Sequence, residues 1–198
     1  MKVRMLLMSL LGFMSIASYA QQSWEIDRDK DGIIVYTKEE EGSAFKSFKA
    51  VMAVVASTDE IVEILKNADD YTKWYGYTKT SALLKQAGDA QYNYVETIFP
   101  WPYSNRDMVY RMSVNVSANG IVKILLKGIP DYVPEKQGIV RMKKAEGYIL
   151  LQPIDGKTEV TYVFHSEPGD NIPPWLANNS IAELPFRTLS GLRKMLNE

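Results

Sequence analysis

Few side chains in this sequence could carry chemistry. His165 is the single histidine. In TYVFHSEPG it could serve as a general base near neutral pH, or simply end a strand as a polar residue; no spacing marks a partner for it. Tyr94 and Glu96, in QYNYVETIF, add acid–base groups that nothing joins into a set. Arg106 and Asp107, in PWPYSNRDMVY, could grip a ligand headgroup or tie a turn through hydrogen bonds, and the two prolines and Ser104-Asn105 favour the turn. The charged run Lys38 to Glu41 and the pair Asp69-Asp70 lack EF-hand spacing and read as solvated turns. Lys143-Lys144 reads as surface. There is no P-loop, GxSxG, histidine pair or regular dinucleotide fingerprint. The absence of cysteine excludes thiol chemistry, iron–sulfur clusters and cysteine zinc sites. No catalytic residue, metal or cofactor is assigned.

The elements that must position these groups follow an N-terminal segment, MKVRMLLMSLLGFMSIASYAQQ. Lys2 and Arg4 give a positive start, Met5 to Ile16 is an apolar run of h-region length, and Ser18-Tyr19-Ala20 is a small-x-small cleavage site. The run is short for a membrane span. Residues 1–20 are therefore expected to be a signal peptide, with residues 21–198 forming one domain large enough for a sizeable core. A periplasmic or secreted product is expected. The formal charge is −1 and becomes more acidic once Lys2 and Arg4 are removed. That argues against a general nucleic-acid binder.

Periodicity predicts a strand at Gly32 to Lys38, bounded by charged turns, and a longer β-type run over Ala44 to Ser57. Ser57 with Glu60 fits a capping box, opening a short helix that ends near Asn67. Strands follow in KTSALLKQAG, QYNYVETIF, DMVYRMSVNVS and IVKILLKG, with turns at Gly88-Asp89 and Asn119-Gly120. GIVRMKKAEGYILLQPI suggests two strands around a turn near Glu146-Gly147, and KTEVTYVFHSEPG is the last strand. Within DMVYRMSVNVS, Tyr110, Met112, Val114 and Val116 share an apolar face opposite Arg111, Ser113 and Asn115. A bend centred at Tyr103-Ser104 would bring Glu96 near Arg111. From Asn171 onward the pattern is helical, with Pro173 or Pro174 at its start, a kink or break expected at Pro185 and a weakening of roughly 1 kcal/mol at Gly191. The class is α+β: a mostly antiparallel sheet, one short helix and one long terminal helix.

Several pieces occur together in one order. These are Asp70-Tyr71 with Trp74, then PWPYSNRDMVY, Gly138 to Arg141, Gly147 with Leu151 to Pro153, EPGDNIPPWLANN, Leu184-Pro185, and Thr188 to Arg193. In this the chain resembles a START domain, the steroidogenic-acute-regulatory-related lipid-transfer module, over nearly the whole mature chain and in a bacterial exported form. The resemblance implies a helix-grip fold, with a curved antiparallel sheet around a long C-terminal helix and an internal apolar cavity. It further implies binding and transfer of a lipid or other apolar small molecule, without catalysis, each buried CH₂ contributing roughly 0.8 kcal/mol. The C-terminal helix and nearby loops would gate entry.

The cavity candidates are Tyr94, Tyr110, Met112, Val114, Leu184, Leu189 and Leu192. Trp101, Arg106 and Asp107 would form the structural turn, and Trp175, Leu176 and Pro185 the gate. Trp175 and Leu176 are also candidates for transient membrane contact. Several animal members of the family carry a cavity arginine six places after the arginine of the Arg-Asp pair. Here that place holds Met112, with Arg111 one step earlier, so a more apolar cavity is expected. Two other readings stand beside the carrier: an envelope protein-interaction module without a working cavity, and a cyclase- or aromatase-like enzyme using Tyr94, Glu96 or His165.

Overall fold

The structure is a computed structural model that describes residues 23–169 and 172–197. The expected signal peptide, residues 1–20, lies outside the described residues. The elements run β1 (Glu25–Lys30), β2 (Ile33–Lys38), β3 (Ser47–Val54), α1 (Thr58–Lys66), a 3-10 segment (Ala68–Lys73), β4 (Thr78–Ala87), β5 (Ala90–Thr97), β6 (Arg106–Val116) and β7 (Val122–Gly128). They continue with β8 (Val140–Arg141), β9 (Lys144–Ile154), β10 (Lys157–Glu167), α2 (Pro174–Asn179) and α3 (Glu183–Met195). One ten-stranded sheet has the order β1-β2-β3-β10-β9-β7-β6-β5-β4, with β8 beside β6. Its ladders are antiparallel except for β6–β8.

Strand alternation puts the core on one face of this sheet. Val35, Met52, Ile124, Leu151 and Tyr162 are fully or almost fully buried there, and Met108, Tyr110 and Met112 extend the same face on β6. Helix α3 covers that face with Pro185, Thr188, Leu189 and Leu192. It packs on β2 and β3 near one end of the strand order. It also meets the segment leading into β4, at the other end. A Cβ added to Gly191 would overlap the carbonyl oxygen of Trp74, and one on Gly76 would sit 2.8 Å from the carbonyl oxygen of Leu184. One helix therefore packs against both ends of the strand order. This is the α+β, helix-grip-like arrangement, with the C-terminal helix over an antiparallel sheet.

Helix α1 begins and ends where its capping signals lie. Ser57 caps Glu60, Glu60 returns the bond in a capping box, and Asn67 ends the helix. Four expectations need correction. First, the charged segment EIDRDK is strand β1, not a turn. It is an exposed edge strand, where charged side chains oppose edge-to-edge pairing. The turn joining it to β2 is Asp31-Gly32, with φ of 52° and 68°, the two-residue hairpin geometry that an Asp-Gly pair favours.

Second, β9 runs straight through Glu146-Gly147. Gly147 pairs with Phe164 on one side and Leu126 on the other. A Cβ there would overlap the Val163 carbonyl and crowd the Phe164 ring, so this glycine serves a close approach. Third, β5 and β6 pair Glu96 with Asp107 and Tyr92 with Arg111. The bend is centred about two residues earlier than expected, and Glu96 instead meets Lys79 at 3.0 Å. Fourth, the terminal helical stretch is two helices. The break falls at Ser180 to Ala182, before Pro185. Pro185 is the third residue of α3, where a backbone N–H has no intrahelical acceptor to lose.

Candidate functional site

Between the core face of the sheet and the α2–α3 junction lies a cleft of about 420 Å³. Phe48, Val95, Met108 and Phe164 line it from the sheet, and Ile181 and Leu184 from the helical side. Ile98, Phe99 and Pro100, from the proline-rich turn, form one wall. Polar lining is sparse and includes Lys46, Thr97, Ser166, Asn178 and Glu183. An apolar cleft with few polar groups suits a largely apolar ligand.

The turn beside the cleft is held by two arginines that do different work. Arg106 and Asp107 are adjacent, so on a strand their side chains point to opposite faces. The Arg106 Nε donates to the Pro168 carbonyl at 3.0 Å, and its guanidinium also donates to the Ser104 carbonyl. That guanidinium lies 4.8 Å from the centre of the Phe99 ring. Asp107 instead accepts two bonds from Arg141, from Nε at 2.7 Å and Nη2 at 3.1 Å, and both side chains are buried. The Asp107 carboxylate holds the Arg141 guanidinium above its ordinary pKa. Asn105 completes the bend, donating to Glu96 at 2.7 Å and accepting from the Phe99 N–H at 3.2 Å.

Behind the cleft is a group of tyrosines. The hydroxyl oxygens of Tyr75 and Tyr162 are 2.5 Å apart. Tyr110 donates to Tyr71 at 3.4 Å, and Tyr71 donates to the Leu65 carbonyl. Burial pushes the phenol pKa of all four upward.

The family model for the START domain matches residues 8–198. The chain belongs to the START-domain family. Among solved structures, the START chain of this sequence resembles the crystal structure of a STAR-related lipid transfer protein from Xanthomonas axonopodis. The TM-score is 0.84 at 36% identity, covering 88% of this chain and 99% of that one. An uncharacterized protein of Pseudomonas aeruginosa is 34% identical, over 96% of this chain and 95% of its own. The phosphatidylcholine transfer protein of Rattus norvegicus is 30% identical, over 78% of this chain and 75% of its own. START-domain proteins are typically non-catalytic lipid carriers, and lipid binding or transfer is what this membership supports for the chain. Among the described residues, no three His, Cys, Asp or Glu side chains group as a metal site.

Of the START cavity candidates, Leu184 lines the cleft. Tyr110, Met112, Leu189 and Leu192 are buried in the core cluster, and Val114 packs against it. Tyr94 stands across the ladder from Val109, with its ring 3.8 Å from the Lys136 Nζ. Alternation turns it away from Val95 and the cleft. Burial, followed by the neighbouring Asp107, raises its phenol pKa. Glu96 shares that outward face. His165 also faces away from Phe164 and the cleft, with its Nδ1 3.2 Å from the Ser47 hydroxyl. Trp101 is 92% exposed at the tip of the turn, and Trp175 is 64% exposed on α2. Leu176 is half-buried on α2 and Pro185 is buried in α3.

Sequence reasoning missed Val95, Met108 and Asn178. Val95 and Met108 are paired across β5 and β6, and their face follows from strand alternation once the register is known. Asn178 fastens α2 to the chain before β3. Its Oδ1 accepts from the Lys46 N–H at 3.0 Å, and its Nδ2 donates to the Ala44 carbonyl at 3.0 Å. These contacts cross more than 130 residues of sequence, and no local pattern announces them.

Proposed function

We propose that the protein is a carrier that holds a lipid or other apolar small molecule in the cleft between the sheet and the α2–α3 junction. The observation that carries this reading is the cleft itself, about 420 Å³ with a mainly aliphatic and aromatic lining, in a START-family chain. Burying the ligand's apolar part supplies affinity, at roughly 25 cal/mol per Å² removed from water. The sparse polar lining orients the molecule.

In this reading the sheet curves around the helix, and the gate is α2 with its connection to α3. Trp175, Leu176 and the half-buried wall from Ala177 move together, released when Asn178 lets go of Ala44 and Lys46. Trp175, with Trp101 and the half-exposed Ile98 of the turn, touches a membrane during exchange, since tryptophan suits the boundary between lipid and water. The protein works outside the cytoplasm, periplasmic or secreted, after cleavage behind Ala20.

Extraction of a fluorescent lipid from vesicles tests the carrier. The parent protein should take up the lipid, and Ala177→Trp, which fills the cleft wall, should take up about tenfold less for a clash of 1–3 kcal/mol. No uptake by the parent, or equal uptake by the folded variant, would overturn the reading. The export element is tested separately: the mass of the protein recovered from the cell envelope should correspond to a chain starting at Gln21.

A further inference from the structure

The buried amide of Asn93 makes no hydrogen bond of normal geometry. Asn93 is 0% exposed, and neither its Oδ1 nor its Nδ2 has a hydrogen-bond partner. The Tyr110 hydroxyl lies close by across the ladder, near enough for the amide to offset part of the burial-driven rise of the Tyr110 pKa, but outside hydrogen-bond geometry with either amide atom, and it donates to Tyr71. Three more buried polar atoms lack partners on or beside the same stretch of the face, Trp74 Nε1, Ser81 Oγ and Gln91 Oε1, and Thr78 Oγ1 lies further along it.

The register explains why these atoms meet. Thr78 stands opposite Thr97, Ser81 opposite Val95, and Asn93 opposite Tyr110. All therefore share the core face of β4, β5 and β6. Gln91 is on that face too, since its Nε2 reaches the Lys66 carbonyl at the end of α1 at 3.0 Å. Trp74 closes the region from the 3-10 side, edge-on to Tyr71 at 5.2 Å. Donors and acceptors are thus gathered beneath one segment. Buried polar atoms are nearly always satisfied by protein or by a bound molecule, and leaving them unmet is costly.

The region is also without charge. Glu96 points to the other face, toward Lys79, Thr80 and Asn105. Arg106 is on the core face, four residues along β6 from Tyr110, or about 13 Å, and it is engaged by the Pro168 and Ser104 carbonyls. An ionised group placed beside Asn93 would lose its hydration with no counter-charge. The region adjoins the cleft: Val95, two residues from Asn93 on the same strand face, lines it. The cleft, about 420 Å³ and lined mainly by aliphatic and aromatic side chains, takes the apolar part of an amphiphile.

We infer that Asn93, with Trp74, Ser81 and Gln91, receives the neutral hydrogen-bonding head, a hydroxyl or primary amide, of an amphiphile whose apolar part occupies the cleft. This rests on the carrier reading and narrows its ligand class to uncharged heads.

The test is displacement of a fluorescent apolar probe from the full mature chain by 1-dodecanol, by ionised dodecanoate and by dodecylphosphocholine. Dodecanol should bind about tenfold tighter than the two charged-head compounds. Asn93→Leu should weaken dodecanol about tenfold, change the other two little, and raise Tm by about 2–4 °C, because orphaned polar atoms have been replaced by packed apolar ones. If Asn93→Leu does not fold, Ser81→Ala gives the same comparison. Equal affinity for all three heads, with dodecanol binding unchanged in the variant, overturns the inference and leaves the carrier standing. Failure of the probe and every competitor to bind overturns both.

Discussion

Gly191 of α3 lies directly against the carbonyl oxygen of Trp74, at the start of the chain's return into β4. The helix also packs on β2 and β3. This one approach therefore brings the far end of the strand order to the same helix. Glycine costs an isolated helix about 1 kcal/mol, and here it permits a contact that no other side chain would allow.

Gly191→Ala should therefore destabilise the fold despite its better helix propensity. Because the added Cβ meets backbone, the overpacking cost falls in the upper part of the usual range, about 2–3 kcal/mol, and outweighs a propensity gain of about 1 kcal/mol, for a net loss of about 1–2 kcal/mol. Thermal unfolding should show Tm lowered by about 2–8 °C. An unchanged or higher Tm would mean that α3 is not seated against Trp74.

Asp107 and Arg141 form a buried bidentate pair. Asp107→Ala leaves the guanidinium buried without its carboxylate and should cost about 3–5 kcal/mol in denaturant unfolding. Asp107 points away from Met108 and the cleft, so any folded fraction should keep the parent's ligand affinity. A loss of affinity larger than the loss of stability would assign Asp107 a part in binding.

Buried Tyr71, Tyr110 and Tyr162, with half-buried Tyr75, predict an alkaline limit. Their folded pKa values lie above the ordinary value near 10. Above pH 10 the unfolded chain releases these protons while the folded chain keeps them, so stability falls as pH rises. The stabilisation is complete below pH 10 and declines above it, by up to about 1.4 kcal/mol per pH unit for each group. In alkaline unfolding followed by circular dichroism, Tyr75→Phe with Tyr162→Phe should make the decline shallower. An identical slope would contradict the assignment.

Asn178 is the fastening between α2 and the chain before β3. Asn178→Ala removes two hydrogen bonds at a half-buried site, for a stability loss of about 1–2 kcal/mol. If α2 is the gate, lipid exchange between vesicles should become several times faster. An unchanged exchange rate with lowered stability would make Asn178 purely structural.

Much of this architecture was legible in the sequence, because its signals are local. The Ser57–Glu60 capping box, the Asn119-Gly120 turn and the alternation of Tyr110 and Met112 each specify structure within a few residues. What was not legible depends on distant partners. EIDRDK looks like a turn until β2 is available to pair with it. Gly147 looks like a turn until β10 lies across it. The β5–β6 register moved the bend but, shifting by an even number of residues, left the faces as they were. Val95 lies with Met108, Tyr110 and Met112 in either register and Tyr94 on the opposite face, so alternation across the pair already argued against Tyr94. Pro185 reads as a helix breaker because the true start of α3, two residues before it, carries no side-chain capping bond.

The central claim is that the cleft beneath α2 and α3 holds an apolar ligand. Intact mass under non-denaturing conditions, on protein purified from its native compartment, tests it most directly. The account predicts a mass above that of the bare chain by one lipid or other apolar molecule, with the added mass absent from folded Ala177→Trp. A bare-chain mass for the parent, persisting after incubation with lipid vesicles, would contradict it.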